Sequence, residues 1–220
     1  MMRIRPLVQL GRLDDADAAL VDVLEMIGPA DLRMRAWHLQ MHAEVARWRG
    51  DDPRAADYGD RAADLLADTG HSVEWRIASE FAAACNARAG RFGSAADRLR
   101  RAADLPEAGG YLRGYRVLAE SALAAARGLR TDAAAILRVG ADVAHTHGAH
   151  VESLELLFEA ACLTGRPIEH PAAYGPATGG PLTGVLADVV RRGPRAARVA
   201  GDAFLRLGAV GPARRLGAAP

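Results

Sequence analysis

The sequence predicts an all-α protein made of tandem antiparallel helix pairs, stacked into a superhelix with a period of about 39 residues. Three observations carry this reading. First, 48 Ala and 25 Leu make up a third of the 220 residues, while aromatics are only 5%, a balance that favours helix over sheet. Second, four segments align without gaps: Gly11-Arg-Leu-Asp-Asp-Ala16, Gly50-Asp-Asp-Pro-Arg-Ala55, Gly90-Arg-Phe-Gly-Ser-Ala95 and Gly128-Leu-Arg-Thr-Asp-Ala133, with the glycines 39, 40 and 38 residues apart. Third, helix-breaking positions at Gly28-Pro29, Gly70, Pro106 through Gly110 and Gly148 separate consecutive pairs.

Each position of the repeat has a mechanical reason. The glycine ends one helix because it takes a left-handed conformation without steric cost. Asp, Ser, Thr or Pro just after it starts the next helix. Five residues after each glycine come Ala16, Ala55, Ala95 and Ala133, small enough for two helices to approach closely. Nine after come Leu20, Gly59, Leu99 and Leu137, and twelve after come Val23, Ala62, Ala102 and Gly140. These offsets share one helical face. Helix, tight turn, helix is the tetratricopeptide arrangement, here with a period longer than the usual length of about 34 residues.

The elements follow in order. Second helices of pairs are expected at 14–27, 53–69, 94–105 and 132–147, opened by Asp14, Pro53, Ser94 and Asp132. First helices are expected at 33–49, 74–89, 112–127 and 151–164. A fifth copy could open at Gly165-Arg166-Pro167, and a sixth at Gly208 with Ala213. The repeats thus occupy 1–169. Residues 170–181 carry three Pro and three Gly and read as a loop. Two further helices, 182–192 and 195–207, and a truncated last repeat complete the same superhelix to residue 220.

Composition also excludes functions. The chain has no lysine, so Schiff-base catalysis and a Walker A phosphate loop are excluded within it. Formal net charge is +1, which is no nucleic-acid or membrane signature. The charge is unevenly spread: from Arg191 onward seven Arg face one acid, Asp202, leaving the first 190 residues with 21 Arg against 26 acids. No apolar stretch approaches the roughly 20 residues a membrane helix needs, and the N-terminus has no secretory apolar core. Cys85 and Cys162 are isolated among Ala, Leu and Phe and read as reduced, buried thiols, which points to the cytoplasm.

The end of the chain resembles a known family. Gly180-Pro181-Leu182 through Val190, then Gly193-Pro194, then Ala203-Phe204-Leu205-Arg206-Leu207-Gly208 is similar to the close of the repeat region in large ATP-binding LuxR-type bacterial transcriptional regulators. Gly-Arg-Leu-Asp-Asp-Ala and Ala144-His-Thr-His-Gly148 are in the same style. In that family the region lies between a P-loop ATPase and a C-terminal helix-turn-helix, and neither motif occurs in these 220 residues. The resemblance implies a sensing region, or a stand-alone relative of one, with no ATP binding and no specific DNA binding of its own.

Chemical motifs are sparse. His145, His147 and His150 near Glu152 straddle a helix end and read as solvated; His38 and His42 share a helix face but lack a third ligand in a metal-binding phrase. No Gly-x-Ser-x-Gly elbow or catalytic carboxylate pair stands out. We therefore expect no enzymatic activity, no cofactor and no metal. The aromatics say more. Trp37, Met41, Glu44 and Trp48 fall on one face of a first helix, Trp75 opens the next with Phe81 behind it, and Tyr111 and Tyr115 open the third, with Glu80, Arg116 and Glu120 as candidate polar partners on the same surface. First helices line the concave surface of such superhelices, so Trp37, Met41, Trp75, Glu80, Tyr111, Tyr115 and Arg116 are candidate contacts for a protein or small-molecule effector. Packing between successive pairs would use the same aromatics, and both readings stand. The expected function is a non-catalytic binding module, either a regulator's sensing region or a stand-alone scaffold for protein partners. Homo-oligomerisation stays open.

Overall fold

The computed structural model describes residues 4–106, 114–173, 180–194 and 198–218. Among the described residues there are twelve α-helices and no strand. They are α1 (Ile4–Gln9), α2 (Leu13–Met26), α3 (Leu32–Trp48), α4 (Asp52–Leu66), α5 (Ser72–Arg88), α6 (Phe92–Ala103), α7 (Gly114–Ala126), α8 (Arg130–Thr146), α9 (His150–Thr164), α10 (Pro181–Arg192), α11 (Arg198–Arg206) and α12 (Val210–Arg215). None of them is long and apolar enough to cross a membrane.

The glycine of each aligned segment sits where a helix ends. Gly11, Gly50, Gly90, Gly128 and Gly208 have φ between +70° and +85°, the left-handed region that a residue with a Cβ enters only with strain. At Gly50 the turn is closed by Gly50 N–H to Arg47 O, 3.1 Å, and Asp51 N–H to Ala46 O, 2.9 Å. This Schellman pair satisfies carbonyls that the end of α3 would otherwise leave free. Asp51 then caps α4 by accepting from Arg54 N–H. The alanines five residues after these glycines are shut from solvent: Ala16, Ala55, Ala95, Ala133 and Ala213 expose 0–1% of their surface. Neighbouring helices use the space this leaves. A Cβ at Gly140 would come within 2.6 Å of Val117, and one at Gly59 within 3.1 Å of the Ala82 backbone.

Two parts of the chain depart from the expected pattern. Helix α1 supplies a first partner for α2, although its six residues, with Pro6 in the first turn, are too short to show a period. Gly165 does cap α9, with φ +68°, but no second helix follows it. Pro167 interrupts the chain, Ile168 N–H donates to Val190 O at 2.8 Å, and Pro171–Ala173 forms a single 3-10 turn. Helix α10 packs on α9 instead. At Gly208 the pair does form, α11 with α12, but its second helix is only six residues long. Within the expected loop, 174–179 lie outside the described residues.

The helices form two layers whose ends meet. α1, α3, α5, α7 and α9 touch one another in series, and α2, α4, α6 and α8 fill the outer side. α10 reaches back to α1, and α12 packs on α3. A single apolar cluster therefore joins Ile4, Leu20 and Trp48 of the first helices to Leu157, Leu182 and Phe204 of the last. Phe158 and Phe204 meet edge to face at 5.8 Å, and Arg214 Nη1 donates to Gly50 O at 3.1 Å. The C-terminal helices thus pack back on α1 and α3.

Candidate functional site

Where the inner helices converge, the interior is charged. Glu44 and Arg47 stand one turn apart on α3, both buried, and Arg47 Nε donates to Glu44 Oε2 at 2.9 Å. The same guanidinium reaches α9, where its Nη2 donates to Glu155 Oε2 at 3.1 Å, and it lies 5.0 Å from the centre of the Trp48 ring. Tyr115 of α7 donates its hydroxyl proton to Glu44 Oε1 at 2.9 Å. That hydroxyl in turn accepts from Arg5 Nη2 of α1, also at 2.9 Å. Phe81 holds the Tyr115 ring edge to face at 4.7 Å. Charge-assisted bonds of this kind are about twice as strong as neutral ones, and burial requires each of these charges to have a partner.

Glu152 lies one turn before Glu155 on the same face of α9. Its carboxylate accepts the Gly114 backbone N–H at the start of α7. Gly114 has to be glycine for this: a Cβ there would collide with the Glu152 carboxylate. Deeper in, Arg88 of α5 binds Glu159 Oε1 at 2.9 Å and approaches Asp52 at 3.4 Å, while Arg215 of α12 pairs with the other Glu159 oxygen.

A cavity of about 100 Å³ lies beside Glu44, Tyr115 and Glu152. Arg5, Glu44, Tyr115, Glu152 and Glu155 form its polar side. Met41, Trp48, Leu118, Leu182 and Leu186 form its apolar side, and Arg5 stands exposed at its edge. A second space of about 10 Å³ beside Arg88, Glu159 and Pro212 is at the limit for one water molecule.

The carboxyls titrate apart. Burial raises Glu44, but Arg47 and Arg5, with the hydrogen bonds from Arg47 and Tyr115, outweigh it and hold Glu44 below its ordinary range. Burial raises Glu155, which Arg47 only partly offsets and Glu44 reinforces. Glu152 is pushed up to about 7, first by burial and then by Glu155, against weaker help from the Gly114 N–H and Arg5. Glu159 stays low, since Arg215 and Arg88 outweigh its burial. Burial raises the Tyr115 hydroxyl, so it remains a donor to Glu44. Cys85 and Cys162 are both pushed up to about 12 by burial, which leaves them thiols rather than reactive thiolates. Three carboxyls thus face two guanidiniums around an apolar wall. That arrangement can hold a small ligand by charge and shape.

Of the residues singled out from sequence, Met41 and Tyr115 line this cavity. Trp37 is half-buried against the main core. Trp75 packs on the alanine cluster of Ala36, Ala62 and Ala78. Glu80 is buried and paired with Arg76 at 3.0 Å, and Arg116 pairs with Glu120 at 2.7 Å. Tyr111 lies outside the described residues. Among the histidines, His38 bonds Leu20 O, His42 stacks on Tyr58, and the two rings meet edge to face at 4.6 Å. His147 bonds Val143 O, while His145 and His150 meet Nδ1 to Nδ1 at 3.2 Å. Among the described residues no group of three His, Cys, Asp or Glu is arranged to hold a metal ion.

From sequence, Arg5 and Glu155 carry no mark, Glu152 stands out only as a neighbour of the histidines, and Glu44 and Trp48 share the Trp37–Met41 face without being candidate contacts themselves. A signal was present. In Ala43-Glu-Val-Ala-Arg-Trp48 and Ser153-Leu-Glu-Leu-Leu-Phe-Glu159, charges stand on helix faces whose flanking residues are apolar, and such charges are buried only when paired. No family model, curated protein or solved structure matches the chain.

Proposed function

We propose that this chain is a non-catalytic binding module, a tetratricopeptide-like superhelix that senses a small-molecule effector in its central cavity. The observation that carries this reading is where the cavity lies. Its walls come from α1, α3 and α7 on one side and from α9 and α10 on the other, so one ligand there touches both ends of the superhelix at once. A ligand preferring the closed packing would favour that packing by its differential affinity, and an attached output domain could read the change. The repeat reading is supported by the left-handed glycines 39, 40 and 38 residues apart and by the buried alanines five residues after each. The similarity to LuxR-type regulators supplies the biological setting, a sensing region of such a regulator, and the free thiols of Cys85 and Cys162 suit the cytoplasm.

A small effector fits better than a protein partner on the inner surface. α10 and α12 already cover that side, which leaves a stand-alone scaffold only its outer helices for partners. Duplex DNA is disfavoured as a direct ligand. In the basic C-terminal part, Arg191 and Arg192 both approach Asp188, Arg214 bonds Gly50 O, and Arg215 turns inward to Glu159.

The test is a thermal-shift and tryptophan-fluorescence screen of small metabolites against the full chain, repeated on Leu118→Phe, which narrows the cavity. Compounds that raise the melting temperature of the wild type and lose that effect in the variant are expected. A set of ligands indifferent to Leu118→Phe, or capture only of proteins on the outer helices, would contradict the proposal.

A further inference from the structure

The charge balance of the cavity specifies its ligand more closely. Glu44 is satisfied at both oxygens, Oε2 by Arg47 and Oε1 by Tyr115. Glu155 is engaged through Oε2 alone, by Arg47. Glu152 receives the Gly114 N–H and no cation within bonding distance. Among the described residues, the charged or titratable groups that share the cavity with Glu152 are Arg5 from α1, Glu44 from α3, Tyr115 from α7 and Glu155 from α9, while α10 contributes Leu182, Thr183 and Leu186; Arg47 of α3 stands behind them, paired with both Glu44 and Glu155. Among the described residues, three acids against the two guanidiniums of Arg5 and Arg47 leave one negative charge unmatched, beside a wall of Met41, Trp48, Leu118 and Leu182.

We propose that the cavity binds a small organic monocation, a primary ammonium with a short apolar body, its head between Glu152 and Glu155 and its body against Trp48 and Met41. The inference rests on the binding-module reading and adds the ligand class to it. Size sets the scale. A cavity of about 100 Å³ lies below the apolar cavity of ~150 Å³ that admits a benzene ring, and far below the ~300–1,000 Å³ of sites for cofactors and drug-sized ligands. A straight chain of a few carbons is the right dimension, and nucleotides are excluded. Without the cation, a proton can supply the missing positive charge, which is the physical meaning of the raised Glu152. Cation and proton therefore compete for the same carboxylate.

The experiment is isothermal titration of the full chain with n-butylammonium, sodium butyrate and n-butanol, which share one apolar body and differ in head charge. The amine stays protonated at pH 6 and pH 8, as a lysine does with its pKa of about 10.4. We expect saturable binding of n-butylammonium, at least tenfold tighter than butyrate or butanol. Its affinity should be about tenfold weaker at pH 6 than at pH 8, because a carboxyl titrating near 7 is mostly protonated at the lower pH. Near pH 7 binding should release protons, seen as a buffer-dependent enthalpy. Glu152→Gln should lose most of the affinity and the pH dependence; the wild-type pH profile stands as evidence even if that variant folds poorly. Tighter binding of butyrate or butanol would overturn the cation assignment while leaving a ligand-binding cavity in place. Failure of all three to bind, or amine binding unchanged between pH 6 and pH 8 or in a folded Glu152→Gln variant, would overturn it as well.

Discussion

Arg47 and Glu155, 108 positions apart in the chain, meet Nη2 to Oε2 at 3.1 Å in the middle of the molecule. The contact joins the third helix to the ninth. Arg47 could not have been placed there for its own stability, because withdrawing a guanidinium from water costs several kcal/mol before any partner offsets it. It is held by Glu44 on its own helix and by Glu155 across the interior, and its planar fork serves both at once. A chain without lysine has only this cation available, and here the geometry uses what distinguishes it.

The alanines that follow the helix-ending glycines should be intolerant of size. Ala95 of α6 is fully enclosed, while Ala103 on the same helix is exposed. Ala95→Leu should lower stability by about 1–3 kcal/mol through overpacking, and Ala103→Leu should change it by less than about 0.5 kcal/mol, as surface substitutions usually do. Urea midpoints measure both. Equal midpoints for the two variants would mean that Ala95 is not at a close helix crossing.

Gly211 offers a test in which two effects have opposite sign. It lies in α12, where helix propensity alone predicts that Gly→Ala stabilises by up to about 1 kcal/mol. In the folded chain, however, a Cβ at Gly211 would meet Arg47 O at 2.5 Å and the Gly50 backbone at 3.3 Å. Both are backbone atoms of the α3–α4 turn, which cannot swing aside as a long side chain can. Gly211→Ala should therefore destabilise, by about 1–3 kcal/mol, and should increase amide exchange in α12 and at the end of α3. A stabilised variant would show that α12 does not press on that turn.

The pH dependence of stability should carry the mark of Glu152. Its folded pKa is raised from the usual 4.5 to about 7. Between those values the folded chain binds the proton and the unfolded chain releases it, so this group's contribution to stability is full below about 4.5 and is lost as pH rises through 7. Urea titrations from pH 5 to pH 8 on wild type and Glu152→Gln should show the variant gaining relative to wild type as pH rises, with the gain levelling off above 7. A constant difference across that range would show that Glu152 titrates like an exposed carboxyl.

Much of the fold is legible in the sequence because its punctuation is local. Gly50, Gly90 and Gly128 are read from their spacing alone, and the helices they end lie within a few residues of the expected bounds: α5 at Ser72–Arg88 against 74–89, α8 at Arg130–Thr146 against 132–147. The cavity is not legible in that way. Met41 and Tyr115 belong to it, but Trp37 packs on the main core outside the cavity lining, and Trp75 packs on a separate alanine cluster. Which part of an inner helix faces the centre depends on how far successive helix pairs rotate against each other, and on α10–α12 folding back over them. Both are sums over contacts between distant residues. Glu152 and Glu155 carry no period that sets them apart from surface acids; only the apolar neighbours Leu154, Leu156 and Leu157, all buried, mark them.

The central claim is that the first and last helices close around a shared charged interior, and the most direct test is a double-mutant cycle across its middle. Arg47→Met, Glu155→Gln and the double variant would be unfolded in urea alongside the wild type. Residues bonded in one buried network couple by about 0.5–3 kcal/mol, whereas sites with no shared partner add to within about 0.5 kcal/mol. The account predicts that the double variant loses less stability than the two single losses together, by at least 1 kcal/mol, because each single change already removes the shared Arg47–Glu155 bond from the buried network. Additive losses would contradict it, since Arg47 and Glu155 could then not be meeting across a closed interior.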